Sequence, residues 1–311
     1  MSFRTIAVIG TGVIGSSWAT CFLARGFDVI ATDPAPNAET RLRKSVDDNW
    51  PAVERIGLSP GASRDRLIFQ KDVVQTVTGA DFVQESGPER LDLKRELIAQ
   101  IDAAAPSTSI IASSTSGLPI SDFQDAARHP ERVLLGHPFN PPHLIPLVEV
   151  LGGKLTSPEA LQQALAFYTA IGKKPIHIRR ETKGFVANRL QAALWREAFY
   201  LVEQGVASVS DIDTAIAHGP GLRWALLGPF LNLHLSGGEG GITHMLEHLG
   251  PPIESWWRDL GEVAITPELI QQLAAGVDAE LATIDPALMR KQRDDVLLSL
   301  VAMKEKNPQL P

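Results

Sequence analysis

Two hydrophobic periodicities divide the chain. Up to about residue 178, short near-continuous apolar runs alternate with longer amphipathic stretches. The runs at 5–9, 28–32, 67–69, 80–85, 109–113, 133–137, 147–150 and 175–178 read as strands buried on both faces, as a parallel sheet requires. Between them, residues 16–25, 38–55, 91–105 and 158–171 carry helical spacing, and Pro60-Gly61 closes the second of these helices. This alternation predicts an α/β, Rossmann-type doubly wound sheet. From Phe185 onward the strand signals stop. Residues 185–204 read as one long helix, followed by helices at 210–217, 243–249, 267–281 and 286–304, with Ser210 and Thr243 as N-caps. The chain therefore reads as two domains, 1–182 and an all-helical 183–311, with the boundary between Arg179 and Gly184. No internal repeat or low-complexity tract interrupts either.

The first strand runs straight into Gly10-Thr11-Gly12-Val13-Ile14-Gly15, and Asp33 closes the second. Alone, the glycine pattern is a weak signal. Strand, glycine turn, helix start and an acid roughly 20 residues on make it a dinucleotide fingerprint. Gly10 allows a sharp turn, Gly12 lets a pyrophosphate approach the orphan amides of the helix N-terminus, and Gly15 lets helix and strand pack closely. Asp33 would accept from the adenosine ribose hydroxyls and repel a 2′-phosphate, so the cofactor reads as NAD rather than NADP. The basic residues nearest to it, Arg41 and Arg43, lie well into the next helix. The competing reading, a fold half that binds nothing or a mononucleotide, needs four agreeing signals to coincide by accident.

Composition narrows the partners. A length of 311 residues suits two domains, and 44% hydrophobic with 21% charged residues is ordinary globular usage. A net charge of −7 without a basic run argues against nucleic acid. No apolar stretch approaches the ~18 residues of a membrane span, and a strand at the very start leaves no room for a signal peptide. The single cysteine, Cys21, cannot form an internal disulfide and suits a reducing cytoplasm.

The chemistry concentrates in Gly136-His137-Pro138-Phe139-Asn140-Pro141-Pro142, followed by Glu149. His137 ends a strand, at the rim where doubly wound folds place ligands, and Glu149 lies on the neighbouring strand. A carboxylate on one imidazole nitrogen sets the tautomer and makes the other nitrogen a competent general base. An alcohol oxidised by NAD needs one. The turn Ser113-Ser114-Thr115-Ser116-Gly117 and Asn188, at the start of the long helix, bring neutral donors to the same rim.

The HPFNP–Glu149 segment, the SSTSG turn and the KGFVANR helix start resemble the L-3-hydroxyacyl-CoA dehydrogenase superfamily over essentially the whole chain. That resemblance implies His137 as base and Glu149 as its partner. It places Ser116 and Asn188 near the substrate oxygen and Glu89 and Lys94 against the cofactor, with Asn140 bracing the loop. Separately, an all-helical second domain without a dinucleotide fingerprint is expected to close over the cofactor and pair with a copy of itself, giving a homodimer through the helical domain. Superfamily members acting on coenzyme A thioesters carry lysines in the helix after the second strand. Here that helix has Arg41, Arg43 and Lys44, then Asp47-Asp48-Asn49-Trp50-Pro51. The segments WPAVERIGLSPGA, QESGPERLDLK, WREA and GLRWALLGPF are closer to the branch containing L-carnitine dehydrogenase and lambda-crystallin (L-gulonate dehydrogenase), with departures at residues 143–146 and 232–241.

The expected activity is NAD-dependent oxidation of a small 3-hydroxy acid, L-carnitine foremost. A 3-hydroxyacyl-CoA or L-gulonate is the alternative substrate, and a non-catalytic NAD-binding structural protein the alternative class. A quaternary ammonium wants aromatic faces. Trp195 or Trp224 could supply one and Arg223 or Arg189 hold the carboxylate, although core or interface packing is the default for each tryptophan, Trp256 and Trp257 included. His244-Met245-Leu246-Glu247-His248 matches a zinc-peptidase pattern but lacks an evident third ligand and reads as a polar helix face. Gly237 to Gly241 reads as a flexible loop.

Overall fold

A computed structural model describes residues 3–310. Strands β1 (Thr5–Ile9), β2 (Asp28–Thr32), β3 (Leu67–Phe69), β4 (Phe82–Glu85), β5 (Ile110–Ser113), β6 (Val133–Pro138), β7 (Leu147–Gly152) and β8 (Lys174–His177) form one sheet. Its order is β3-β2-β1-β4-β5-β6-β7-β8. All neighbours run parallel except β6 and β7, which are antiparallel. The order reverses between β1 and β4, the switch point at which doubly wound folds open a ligand crevice.

Helices α1 (Val13–Ala24), α2 (Ala38–Ile56), α3 (Val73–Val77), α4 (Leu91–Ala104) and α5 (Pro158–Ala170) cover the sheet. Alternate strand residues feed two cores, since successive side chains leave a strand on opposite faces. Ile6, Val8, Phe82 and Leu134 join Trp18, Phe22, Leu42 and Tyr168 on one side. Ala7, Ile9, Val83 and Leu135 join Ile98, Ile101 and Phe123 on the other. Each such large side chain contributes about 1.5–3 kcal/mol by leaving water. The strands foreseen from apolar runs are thus two-faced in the middle of the sheet, whereas the edge strands β3 and β8, read from the same kind of run, are partly and largely exposed, respectively.

Next come α6 (Ala187–Glu203), α7 (Val209–His218), α8 (Pro220–Trp224), α9 (Pro229–Ser236), α10 (Gly241–Asp259), α11 (Pro267–Leu281) and α12 (Pro286–Glu305). Compact units divide after Arg189, inside α6. The first turn of α6 stays with the sheet because Glu149 binds its amides. In the second unit Val202, Leu269 and Leu298 are buried, and Gln272 donates to the Val202 carbonyl at 2.9 Å.

Several local expectations shift. The cap of α7 is Ser208, in a reciprocal box with Asp211, rather than Ser210. Thr243 lies inside α10, which starts at Gly241 and continues through Pro251 and Pro252 to Asp259. The glycines at 237–241 form a tight corner, not a loose loop. Gly241 has φ +59, and a Cβ there would sit 2.5 Å from the His234 ring. The short helices α3, α8 and α9 carry too few residues to show a period.

Candidate active site

At the end of β1 the chain turns at Gly10, whose φ is +87 and whose amide donates to Thr32 O at 2.9 Å. A Cβ on Gly15 would lie 1.8 Å from Gly10 O, so helix and turn touch there. Gly12 caps α1 without a side-chain hydrogen bond, and a Cβ on it would meet nothing within 4 Å. The first amides of α1 therefore face an open space from a turn with no side chain in the way, beside the exposed Val13 and half-buried Ile14. This cradle fits an anionic group. Asp33 borders it: one carboxylate oxygen accepts from Thr11 N at 2.7 Å and Thr11 Oγ1 at 3.2 Å, the other from Ala35 N at 2.8 Å. The carboxylate that would read a ribose is thus tied to the turn that would hold its pyrophosphate.

Across the switch point, Glu89 organises the turn after β5. Its Oε1 accepts from Thr115 Oγ1 at 2.6 Å, Ser116 N at 3.1 Å and Gly117 N at 2.7 Å, leaving Ser116 exposed on the rim. Lys94 is placed differently from its expected role. It is 1% exposed, and its ammonium donates to both Glu85 oxygens (2.7 and 2.9 Å) and to Gly87 O at 3.1 Å. An ammonium has three N–H donors, so none remains for a cofactor. Ser113 Oγ donates to the same Glu85 carboxylate at 2.5 Å. Sequence reading missed Glu85, whose signal was a charged residue closing an apolar strand, and counted Ser113 among the rim donors although its hydroxyl is engaged by Glu85.

His137 and Glu149 are direct register partners across antiparallel β6 and β7, so their side chains share one face. His137 Nδ1 pairs with Glu149 Oε2 at 2.7 Å, with both residues buried. The other oxygen, Oε1, accepts from Val186 N and Ala187 N, each at 2.9 Å. Glu149 thus serves both the imidazole and the orphan amides at the start of α6. Burial favours the neutral acid, but the hydrogen bond from His137 and the two amides outweigh it, and the carboxyl sits below its ordinary range. An ionised partner accepts from Nδ1–H and leaves Nε2 as the basic nitrogen. Phe185, buried at φ +50, sets its ring 5.3 Å from the imidazole. Asn188, half-buried, follows in the first turn of α6. Neither Asn188 nor Ser116 hydrogen-bonds His137; the fold brings their backbones to the rim without joining their side chains to the base.

The remaining candidates have the following surroundings. Arg41 donates to Pro36 O, Arg43 pairs with Glu39 at 2.8 Å and Lys44 with Asp48 at 2.6 Å, so local partners engage the cations of α2. In the second unit, Trp195, Trp224, Trp256 and Trp257 are all exposed, and Arg223 edges an apolar recess of about 300 Å³ beside Leu226 and Leu235. Arg189 donates to Lys183 O at 3.4 Å. The His244 and His248 rings lie parallel at 6.2 Å, and the described residues contain no group of three or more side chains able to hold a metal.

The chain resembles known proteins in sequence and in fold. The model of the 3-hydroxyacyl-CoA dehydrogenase NAD binding domain matches residues 5–182, and that of the 3-hydroxyacyl-CoA dehydrogenase C-terminal domain matches residues 184–279. L-carnitine dehydrogenase of Bacillus cereus is 48% identical over 305 residues, covering 98% of this chain and 94% of that protein. L-carnitine dehydrogenase of Streptomyces griseus is 53% identical over 275 residues, covering 88% and 82%. The solved structure of FHMPC 5-dehydrogenase, described as an NAD+ dependent dismutase, aligns with a TM-score of 0.85 at 29% identity, covering 98% and 99% of the two chains.

Proposed function

The chain belongs to the 3-hydroxyacyl-CoA dehydrogenase family, and from that premise we propose that it oxidises the 3-hydroxyl of L-carnitine to 3-dehydrocarnitine. NAD is the cofactor, an NAD-dependent oxidoreductase activity on a CH–OH group being what the family carries. Bound NAD supplies the hydride acceptor. Gly10 to Gly15 and Asp33 would hold its pyrophosphate and ribose, while Glu89 sets the turn after β5 and Lys94 holds Glu85 and the Gly87 carbonyl at the end of β4.

The single observation carrying the chemistry is the 2.7 Å pair of His137 and Glu149. His137 Nε2 takes the hydroxyl proton as the carbon gives up its hydride, because an alkoxide formed alone would be too high in energy. Glu149 stays ionised, holds Nδ1–H in place and stabilises the imidazolium. Ser116 and Asn188 donate to the substrate oxygen as it becomes a carbonyl, neutral donors that lower its energy without trapping it. The relatives' names support carnitine as the substrate, as does an α2 whose cations are engaged locally rather than offered to a coenzyme A phosphate.

Residues 1–182 act in this reading as the NAD-binding domain and 183–311 as the substrate and dimerisation domain. Arg223 or Arg189 would hold the carboxylate, and Trp195 or Trp224 face the trimethylammonium. The exposed Phe230, Trp256, Trp257 and Ile265 support a second copy as the partner, making a homodimer. A buried unpaired Cys21 supports a cytoplasmic enzyme.

The test follows reduced-nicotinamide absorbance with L-carnitine, L-gulonate and 3-hydroxybutyryl-CoA side by side. Turnover of L-carnitine is expected; reaction of the thioester alone refutes the substrate. His137→Ala should abolish turnover with NAD affinity retained, and loss of NAD binding instead would misplace that residue.

A further inference from the structure

The segment leaving His137, residues 139–146, is tied by backbone at its ends, Phe139 N to Leu147 O at 3.3 Å and Lys174 N to Pro146 O at 2.8 Å, and its interior must keep its shape with little backbone help. Pro141, Pro142 and Pro146 donate no amide hydrogen, and the internal bonds reach back only to Pro141. Two side chains from elsewhere hold it. Lys173, between α5 and β8, donates from Nζ to Pro142 O and, at 3.2 Å, to Ile145 O. Ser17 Oγ accepts from His143 N at 2.9 Å and pairs with His143 Nδ1 at 2.7 Å. Both ties involve α1. Ser17 belongs to that helix, and the Lys173 ammonium sits 5.4 Å from the centre of the Trp18 ring, also on α1.

Lys173 is 6% exposed, and no carboxylate among the described residues pairs with it. Burial pulls its pKa below the ordinary lysine value; Cys21 opposes that shift and Arg25 adds to it. Burying an ammonium is costly unless it is well compensated. Here the compensation is two carbonyls of one loop, an aromatic face and Cys21.

We propose that Lys173 and Ser17 are positioning residues for the oxidation, fixing the loop that leaves His137 to the helix whose N-terminus receives the dinucleotide. Base and hydride acceptor then share one rigid reference, α1. Drift of the loop moves the imidazole against the carbinol, and a displacement of about 1 Å is enough to cost ~100-fold in rate. The proposal rests on His137 being the base.

Lys173→Met keeps an apolar stem against Trp18 but donates nothing to the two carbonyls. With L-carnitine it should lower kcat about 10- to 100-fold, leaving KM and NAD Kd within about twofold. The primary isotope effect on kcat with C3-deuterated substrate should rise, because hydride transfer becomes limiting. Ser17→Ala should repeat the pattern at roughly 3- to 10-fold and decides the matter if Lys173→Met does not fold. Normal kcat and isotope effect in a folded variant overturn the proposal, as does a loss that follows NAD affinity alone. His137→Ala separates the two readings. If it still turns over, the base assignment fails. If it is dead while both tether variants run normally, only the tether fails.

Discussion

Glu149→Gln is the sharpest perturbation available, because an amide cannot do both jobs the carboxylate does. Oε1 accepts from two backbone amides and Oε2 accepts from His137 Nδ1. Glutamine offers one acceptor and one donor group. Turning its NH₂ toward Val186 and Ala187 sets donors against donors, leaving two helix amides unpaired at about 1–3 kcal/mol each. The carbonyl therefore stays with α6, and the NH₂ faces Nδ1. The imidazole must then accept at Nδ1 and carry its proton on Nε2, where a base needs a lone pair. In a Ser-His-Asp triad the same exchange lowers kcat ~10⁴-fold. We expect a loss of about 10³- to 10⁴-fold here, or roughly 4–5 kcal/mol of barrier. Steady-state reduction of NAD with L-carnitine measures kcat, and a fluorescence titration shows NAD affinity unchanged. The variant also tests the linkage. The folded carboxyl titrates below its ordinary 4.5, so it stabilises the protein at and above that pH and loses this as pH falls through the lowered value. Glu149→Gln should remove that part of the acid-side fall in Tm. A kcat within tenfold of wild type would refute the tautomer argument.

Other substitutions separate the cofactor cradle from the scaffold. Gly12→Ala should fold with an unchanged Tm, since its Cβ meets nothing within 4 Å, yet bind NAD far more weakly by calorimetry because the methyl occupies the pyrophosphate's place. Gly15→Ala should lose both, its Cβ falling 1.8 Å from Gly10 O. Asp33→Ala should raise NAD Kd by roughly 10- to 150-fold, the worth of a charge-assisted hydrogen bond, and narrow the preference over NADP. Lys94→Met leaves the Glu85 carboxylate buried without its cation; a cost of ~3–5 kcal/mol, or about 6–20 °C of Tm by calorimetry, should exceed any change in NAD Kd.

Local chemistry was legible in the chain, since spacing along it is spacing along an element. The glycine turn with its acid, the two-faced strands and the histidine ending β6 follow from periods and turn residues that need no distant partner. The resemblance of HPFNP and KGFVANR to a known superfamily carried those readings to Ser116 and Asn188. Short helices such as α3 and α8, and the Ser208 cap lying two residues before the serine expected, show where a local signal becomes too brief to read.

Tertiary structure decided which distant groups meet. Residue spacing makes Glu149 a candidate neighbour of His137, but antiparallel register alone puts them opposite, since a slip of one residue would turn the carboxylate to the other face. Burial alone turned Lys94 inward to Glu85 and committed Lys173 to the loop carbonyls. Side-chain identity tells what a group can donate or accept. Which partner it takes depends on packing summed over the whole sheet, a sum no local window of sequence contains.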